Sequence, residues 1–135
     1  MLYSLPGCSE QAWHADGEHL FASKDHPLLP LHCLNVFVPL VDIVSRGVRA
    51  NGGTEFCLGS HRLTCGQEDI IWQSPQHKDT IGHLEPPAPL DCSAGSIVLF
   101  DYRVLHRGLA NLSEHARPIL YFTYARSWFQ DVNNF

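Results

Sequence analysis

The amino-acid sequence predicts an all-β protein, a sandwich or jelly roll of short strands. Three observations carry this expectation. The apolar runs are short and rich in β-branched and aromatic residues. Clusters of Gly, Pro, Asn and Asp separate them. The longest runs, "LNVFVPLVDI" and "RPILYFTYA", show no helical period.

Taken in order, residues 11–16 form the first predicted strand, with Trp13 marking its packed side. Residues 31–40 form the second, on which Asn35 and Phe37 share one face. Asn51-Gly52-Gly53 reads as a turn needing a positive φ at a glycine, and residues 53–58 follow as a strand. Ser60 and His61 cap a turn after it, with a pocket contact as the alternative. Residues 60–92 are polar and proline-rich, a long loop with short elements in which Trp72 closes a lid or anchors the loop. Residues 96–101, 104–107 and 118–125 complete the strands. Arg126, Trp128 and Phe129 run past the last one and are expected to cover a barrel edge.

A chain of 135 residues fits one domain, residues 1–135. With 44% hydrophobic and 17% charged residues it is globular, not disordered. The net charge of -5 and the lack of a Lys/Arg run exclude an electrostatic nucleic-acid footprint. No apolar run approaches the ~20 residues of a membrane helix. The start "MLYSLPGCSE" has no basic region ahead of a long apolar one, so it is not read as a signal peptide. Five cysteines without a C-x-x-C point to free thiols in a reducing compartment, hence an intracellular, cytoplasmic location. The sequon "NLS" at Asn111–Ser113 carries no weight in that setting.

The chemistry begins at "QAWHADGEHLF", residues 11–21. Side chains alternate along a strand, so His14 and Asp16 point the same way and can hold one ion. His19 is an odd step from His14 and faces away. A second histidine from elsewhere would complete two histidines and a carboxylate, the pattern of non-haem Fe(II) oxygenases. The motif has rivals in His77-Lys78-Asp79 and His83-Leu84-Glu85. Those lie in the proline-rich segment without an apolar frame and read as exposed loop residues. His32 and His115 read as surface or loop residues.

Near the other end, His106 closes an apolar run and Arg117 opens the last strand. The two are expected on neighbouring antiparallel strands joined by a turn over residues 108–115. An inward Arg117 would be a buried charge needing an anion, and a dicarboxylate supplies one in bidentate form. An exposed arginine at a strand start is the alternative. Tyr121 and Thr123 share the face of Arg117, which fits core packing with satisfied hydroxyls.

The pieces "WHADG" at 13–17, "NGGTEFCLGSHR" at 51–62, "AGSIVLFDYRVLHRGLAN" at 94–111 and "RPILYFTYAR" at 117–126 occur in one order. In that order, and with the spacing from His106 to Arg117, the sequence resembles the phytanoyl-CoA dioxygenase family of Fe(II)/2-oxoglutarate oxygenases. The resemblance implies a cupin-like double-stranded β-helix, an eight-stranded jelly roll. It implies Fe(II) at His14, Asp16 and His106, and the distal carboxylate of 2-oxoglutarate at Arg117. It also suggests that the strand of Asn35 lines the co-substrate pocket. Asn35 then donates to 2-oxoglutarate, or pairs with backbone at the strand start. The implied reaction is O2-dependent hydroxylation of a small-molecule or acyl-type substrate.

Some features depart from the family. The usual "PGSH" is "LGSH" at Leu58–His61. The family carries helices and further strands ahead of its H-x-D, and the chain is expected to lack that N-terminal helical layer, as a fragment of a longer protein would. A sheet face is then left exposed for a homo-oligomer or for absent residues to cover. Two other readings stay open: a non-catalytic metal-binding jelly-roll module, and a zinc cupin-like hydrolase or isomerase.

Overall fold

The computed structural model of the protein describes residues 1–21, 29–63 and 86–131. Trp72, His77, Asp79, His83 and Glu85 lie outside the described residues. Within these there are seven strands: β1 (Leu2–Ser4), β2 (Cys33–Pro39), β3 (Thr54–Phe56), β4 (Ala88–Pro89), β5 (Val98–Asp101), β6 (His106–Gly108) and β7 (Arg117–Ala125). They form two antiparallel sheets, ordered β1-β7-β2-β5 and β4-β3-β6. One turn of 3-10 helix spans Ser60–Arg62. The fold is the expected all-β jelly roll.

β2 and β7 form the centre of the larger sheet. Alternation sends Asn35 and Phe37 inward from β2, and Arg117, Ile119, Tyr121 and Thr123 inward from β7. Their register sets Asn35 opposite Thr123 and Phe37 opposite Tyr121. The inner faces of both sheets meet in a core of Phe37, Ile43, Phe56, Phe100, Val104 and Ile119. Phe100 stands edge-on to Phe37 of its own sheet at 4.9 Å and to Phe56 of the facing sheet at 5.0 Å. Such pairs add to burial and fix the ring positions.

The outer face of the smaller sheet is closed by Trp13, Cys57, Leu63 and Leu105. Arg107 lies over the Trp13 ring, 4.9 Å from its centroid, and bonds to Glu55 at 2.9 Å and Glu10 at 3.0 Å. This pins residues 10–13 against β6. The outer face of the larger sheet is different: Leu99, Phe122 and Tyr124 are 60%, 46% and 65% exposed.

The predicted strand at residues 11–16 is reduced to a bridge between His14 and His106. Its backbone bonds are His14 N–H to His106 O and His106 N–H to His14 O, at 3.0 and 2.8 Å. At the next rung the Gln11 side chain accepts from the Gly108 N–H at 2.7 Å, in place of a backbone carbonyl. The sequence also missed β1 and β4, which at three and two residues are too short to show a period.

Two expectations are overturned. His106 and Arg117 are not on neighbouring strands: β6 and β7 belong to different sheets. The intervening chain crosses between the sheets, and Asn111 holds the crossing. Its fully buried amide donates to Ser4 O and His115 O, and its oxygen accepts from the Ser113 N–H and hydroxyl. The sequon asparagine is therefore a structural anchor. His32 stands in the loop ahead of β2, but the surface half of its expectation fails, since it is only 3% exposed. The Arg126 N–H bonds to His32 O at 2.9 Å, and Phe129 packs on the imidazole at 4.7 Å. His115 is exposed, as expected.

Both ring nitrogens of His32 are buried without a hydrogen-bond partner. Burial, with Arg103 nearby, pushes this imidazole below its ordinary value. A depressed folded value means that the unfolded chain takes the proton first. The stability contributed by neutral His32 is present above the ordinary value of 6.5 and is lost as the pH falls below it. His32→Phe is expected to keep or raise the melting temperature at pH 7.5, since apolar replacement of an unsatisfied group is nearly neutral or stabilising. It is also expected to flatten the fall in stability between pH 6.5 and 5 relative to the parent, read by thermal melts across that range.

Candidate metal centre and cavity

Local structure sets up the site. The hydrogen-bonded bridge sets His14 directly opposite His106, and their imidazoles tilt together to 4.5 Å between centroids. Two residues beyond His14, Asp16 turns its carboxylate between them: Oδ1 lies 3.9 Å from His14 Nε2 and Oδ2 lies 3.8 Å from His106 Nε2. One ligand atom from each of the three residues falls within 4.8 Å of the others. Bonds of about 2.0–2.2 Å to one ion require only a small contraction from there.

Both histidines are held in the ligating tautomer. His14 Nδ1 is 2.9 Å from Ala12 O, and His106 Nδ1 is 2.9 Å from Val104 O. A carbonyl can only accept, so Nδ1 carries the proton and each Nε2 turns its lone pair towards Asp16. Burial lowers the pKa of His106, against the pull of Asp16, and so favours the neutral form that a metal needs.

The carboxylate is held from the facing sheet. Asn35 donates its amide to Asp16 Oδ2. The Tyr121 hydroxyl is 3.1 Å from both Asp16 Oδ2 and Asn35 Oδ1, and Thr123 donates to Asn35 Oδ1 at 3.2 Å. Burial pushes the Tyr121 phenol up to about 12, so it stays a donor. Asn35 thus meets the candidate ligand Asp16 rather than backbone. The hydroxyls of Tyr121 and Thr123 are satisfied, as expected, and their partners were not visible in the sequence.

Gly17 makes the position of Asp16 possible. A β-carbon there would lie 1.4 Å from a ring carbon of Tyr102, whose hydroxyl donates to Asp131 at 2.6 Å. Gly17→Ala is expected to cost about 1–3 kcal/mol by overpacking and to weaken metal binding about 10-fold by tilting Asp16. Denaturant unfolding and a metal titration would read the two effects.

A cavity of about 480 Å³ opens on the three residues, and Arg117 lines it as well. Phe37, Thr54, Ile119 and Tyr121 form much of its wall. Arg117 is 7% exposed and its Nε donates to Asn51 O at 3.1 Å. Among the described residues it has no carboxylate partner. By contrast, buried Arg103, which the sequence reading did not single out, is paired to Asp101 through two bonds of 2.9 and 2.7 Å. His61 and His19 are outside this cavity; His19 lines a separate recess with Tyr102 and Phe129.

A jelly roll with two histidines and an aspartate lining such a cavity carries the donor set used by non-haem metal sites. The chain belongs to the phytanoyl-CoA dioxygenase (PhyH) family, whose model matches residues 3–119. It is similar in structure to EvdMO1, with a TM-score of 0.69 and 20% identity over 93% of this chain and 26% of that one. It is also similar to AviO1 from Streptomyces viridochromogenes Tue57, with a TM-score of 0.67 and 22% identity over 94% of this chain and 48% of that one. EctD from S. alaskensis, solved with 2-oxoglutarate and 5-hydroxyectoine, matches with a TM-score of 0.64 and 23% identity over 91% and 41%. The chain thus spans about a quarter to a half of these proteins.

Proposed function

We propose that the protein is an Fe(II)- and 2-oxoglutarate-dependent dioxygenase that hydroxylates a small-molecule or acyl-type substrate. One observation carries the reading: the three candidate ligands and a buried arginine without an acidic partner among the described residues line one cavity. Zinc hydrolysis would leave that arginine unexplained.

In this reading His14, Asp16 and His106 would hold the metal. An Fe(II) ion held there would supply O2 activation coupled to the oxidative decarboxylation of 2-oxoglutarate. The chain's own part is positioning. Arg117 takes the distal carboxylate as a fork. Asn35 serves the co-substrate site through Asp16, whose orientation it fixes together with Tyr121. Phe37 and Ile119 keep water from the cavity wall.

Four of the described cysteines are free thiols, which fits an intracellular, cytoplasmic location. No helix among the described residues is long and apolar enough to cross a membrane. The apolar outer face of the larger sheet suits a homo-oligomer contact.

The test is anaerobic addition of Fe(II) and 2-oxoglutarate, with a visible charge-transfer band as the expected result. Substrate-dependent succinate release then identifies what is hydroxylated. Absence of the band with the metal bound would overturn the reading in favour of a zinc or non-catalytic protein.

A further inference from the structure

We propose that Cys8 is a modification site at the arginine end of the cavity, where an adduct on its sulfur shuts out the carboxylate of the co-substrate. The inference rests on the proposed function for the identity of that carboxylate. Its own basis is geometric.

Cys8 and Arg117 line the same cavity. The link between them is Ser4: it is the register partner of Arg117 across β1 and β7, and its Oγ lies 3.1 Å from Cys8 Sγ. The backbone around Cys8 is fastened to the crossing segment, through Gly7 N–H to Asn111 O at 2.9 Å and Asn111 N–H to Cys8 O at 3.1 Å. The thiol is therefore held at a fixed place in the wall. Arg117, more than nine-tenths buried and without an acid among the described residues, shows that this end of the cavity is built to receive an anion.

The other described thiols are set apart. Cys33 and Cys57 are each only 1% exposed; Cys8 and Cys92 are both half-buried, but of the two only Cys8 lines the cavity. The Ser4 hydroxyl, followed by the Asn111 backbone and then the Arg117 charge, lowers the Cys8 thiol below its ordinary value against the opposing effect of burial. Burial pushes Cys33 up to about 11 and raises Cys92. The thiolate is the nucleophile, so among the described thiols a soft electrophile selects Cys8. With iodoacetamide the thiol proton goes to solvent, a sulfur–carbon bond forms, the carbon–iodine bond breaks and iodide leaves. The added acetamide group then occupies the cavity beside Arg117.

The experiment treats the purified protein with iodoacetamide at neutral pH, maps the adducts by peptide mass spectrometry, and titrates 2-oxoglutarate into the anaerobic Fe(II) form before and after treatment. Cys8 is expected to label about tenfold faster, or more, than Cys33, Cys57 and Cys92. Fe(II) with 2-oxoglutarate is expected to slow that labelling. The labelled protein should need about tenfold more 2-oxoglutarate, or more, for the band, with Fe(II) binding retained. In Cys8→Ser the titration should be the same before and after the reagent. Labelling of Cys8 no faster than of the buried thiols would overturn the proposal. So would a band unchanged by labelling, or a Cys8→Ser protein that still loses binding on treatment. If the untreated protein binds Fe(II) but gives no band at all, the co-substrate reading has failed and takes this proposal with it. A band that survives labelling removes this proposal alone.

Discussion

Arg117→Ala is expected to raise the 2-oxoglutarate needed for half-saturation by about two orders of magnitude or more, with Fe(II) affinity nearly unchanged. The guanidinium is buried, lines the cavity and has no carboxylate partner among the described residues. Charge-assisted bonds to a carboxylate contribute roughly 1.5–3 kcal/mol each, and a fork makes two. Fe(II) affinity is spared because none of the three metal ligands bonds to Arg117 among the described contacts. Arg117→Lys should recover only part of the loss, since a point charge cannot match the fork. Titration of each variant in its Fe(II) form, followed by the charge-transfer band, provides the check. A parent-like titration of Arg117→Ala would sink the assignment.

Asp16→Ala is expected to lower Fe(II) affinity by more than about 100-fold, a larger loss than removal of an outer hydrogen bond brings. The variant loses the negative charge that balances the ion, and two neutral imidazoles alone bind a hard divalent cation poorly. It also leaves the Asn35 amide without its carboxylate acceptor, which costs stability as well. Equilibrium dialysis with Fe(II) would show the first effect and thermal melting without metal the second. Metal retention at the parent's affinity would mean that the ion, if bound, sits elsewhere.

The candidate metal site was largely legible in the sequence because its rules are local. Alternation put His14 and Asp16 on one side, and an apolar run ending at His106 marked a strand end. What stayed hidden depends on contacts between distant segments. Nothing in "DYRVLHRGLAN" says that the chain leaves one sheet after Gly108 and enters the other at Arg117. Asn35 was visible as a polar group inside an apolar strand, but its partner Asp16 comes from the other side of the core. His32 looked exposed because the segment that buries it, with Phe129, lies almost a hundred residues away. Arg103 looked like one more loop charge, and its pairing with Asp101 depends on a turn that no spacing rule describes.

The crossing between sheets has a consequence for selectivity. His14 and His106 belong to one wall and Arg117 to the facing one, so on the proposed function a diacid chelating at one end and meeting the guanidinium at the other would be gauged against the distance between the sheets. The jaws of this calliper are set by the core, above all by Phe100, wedged between Phe37 and Phe56. On the proposed function, a homologous acid one carbon shorter is expected to bind more weakly than 2-oxoglutarate, which a titration of both acids would check. Shrinking Phe100 would blur the discrimination between diacids of different length, although its ring is not part of the cavity wall.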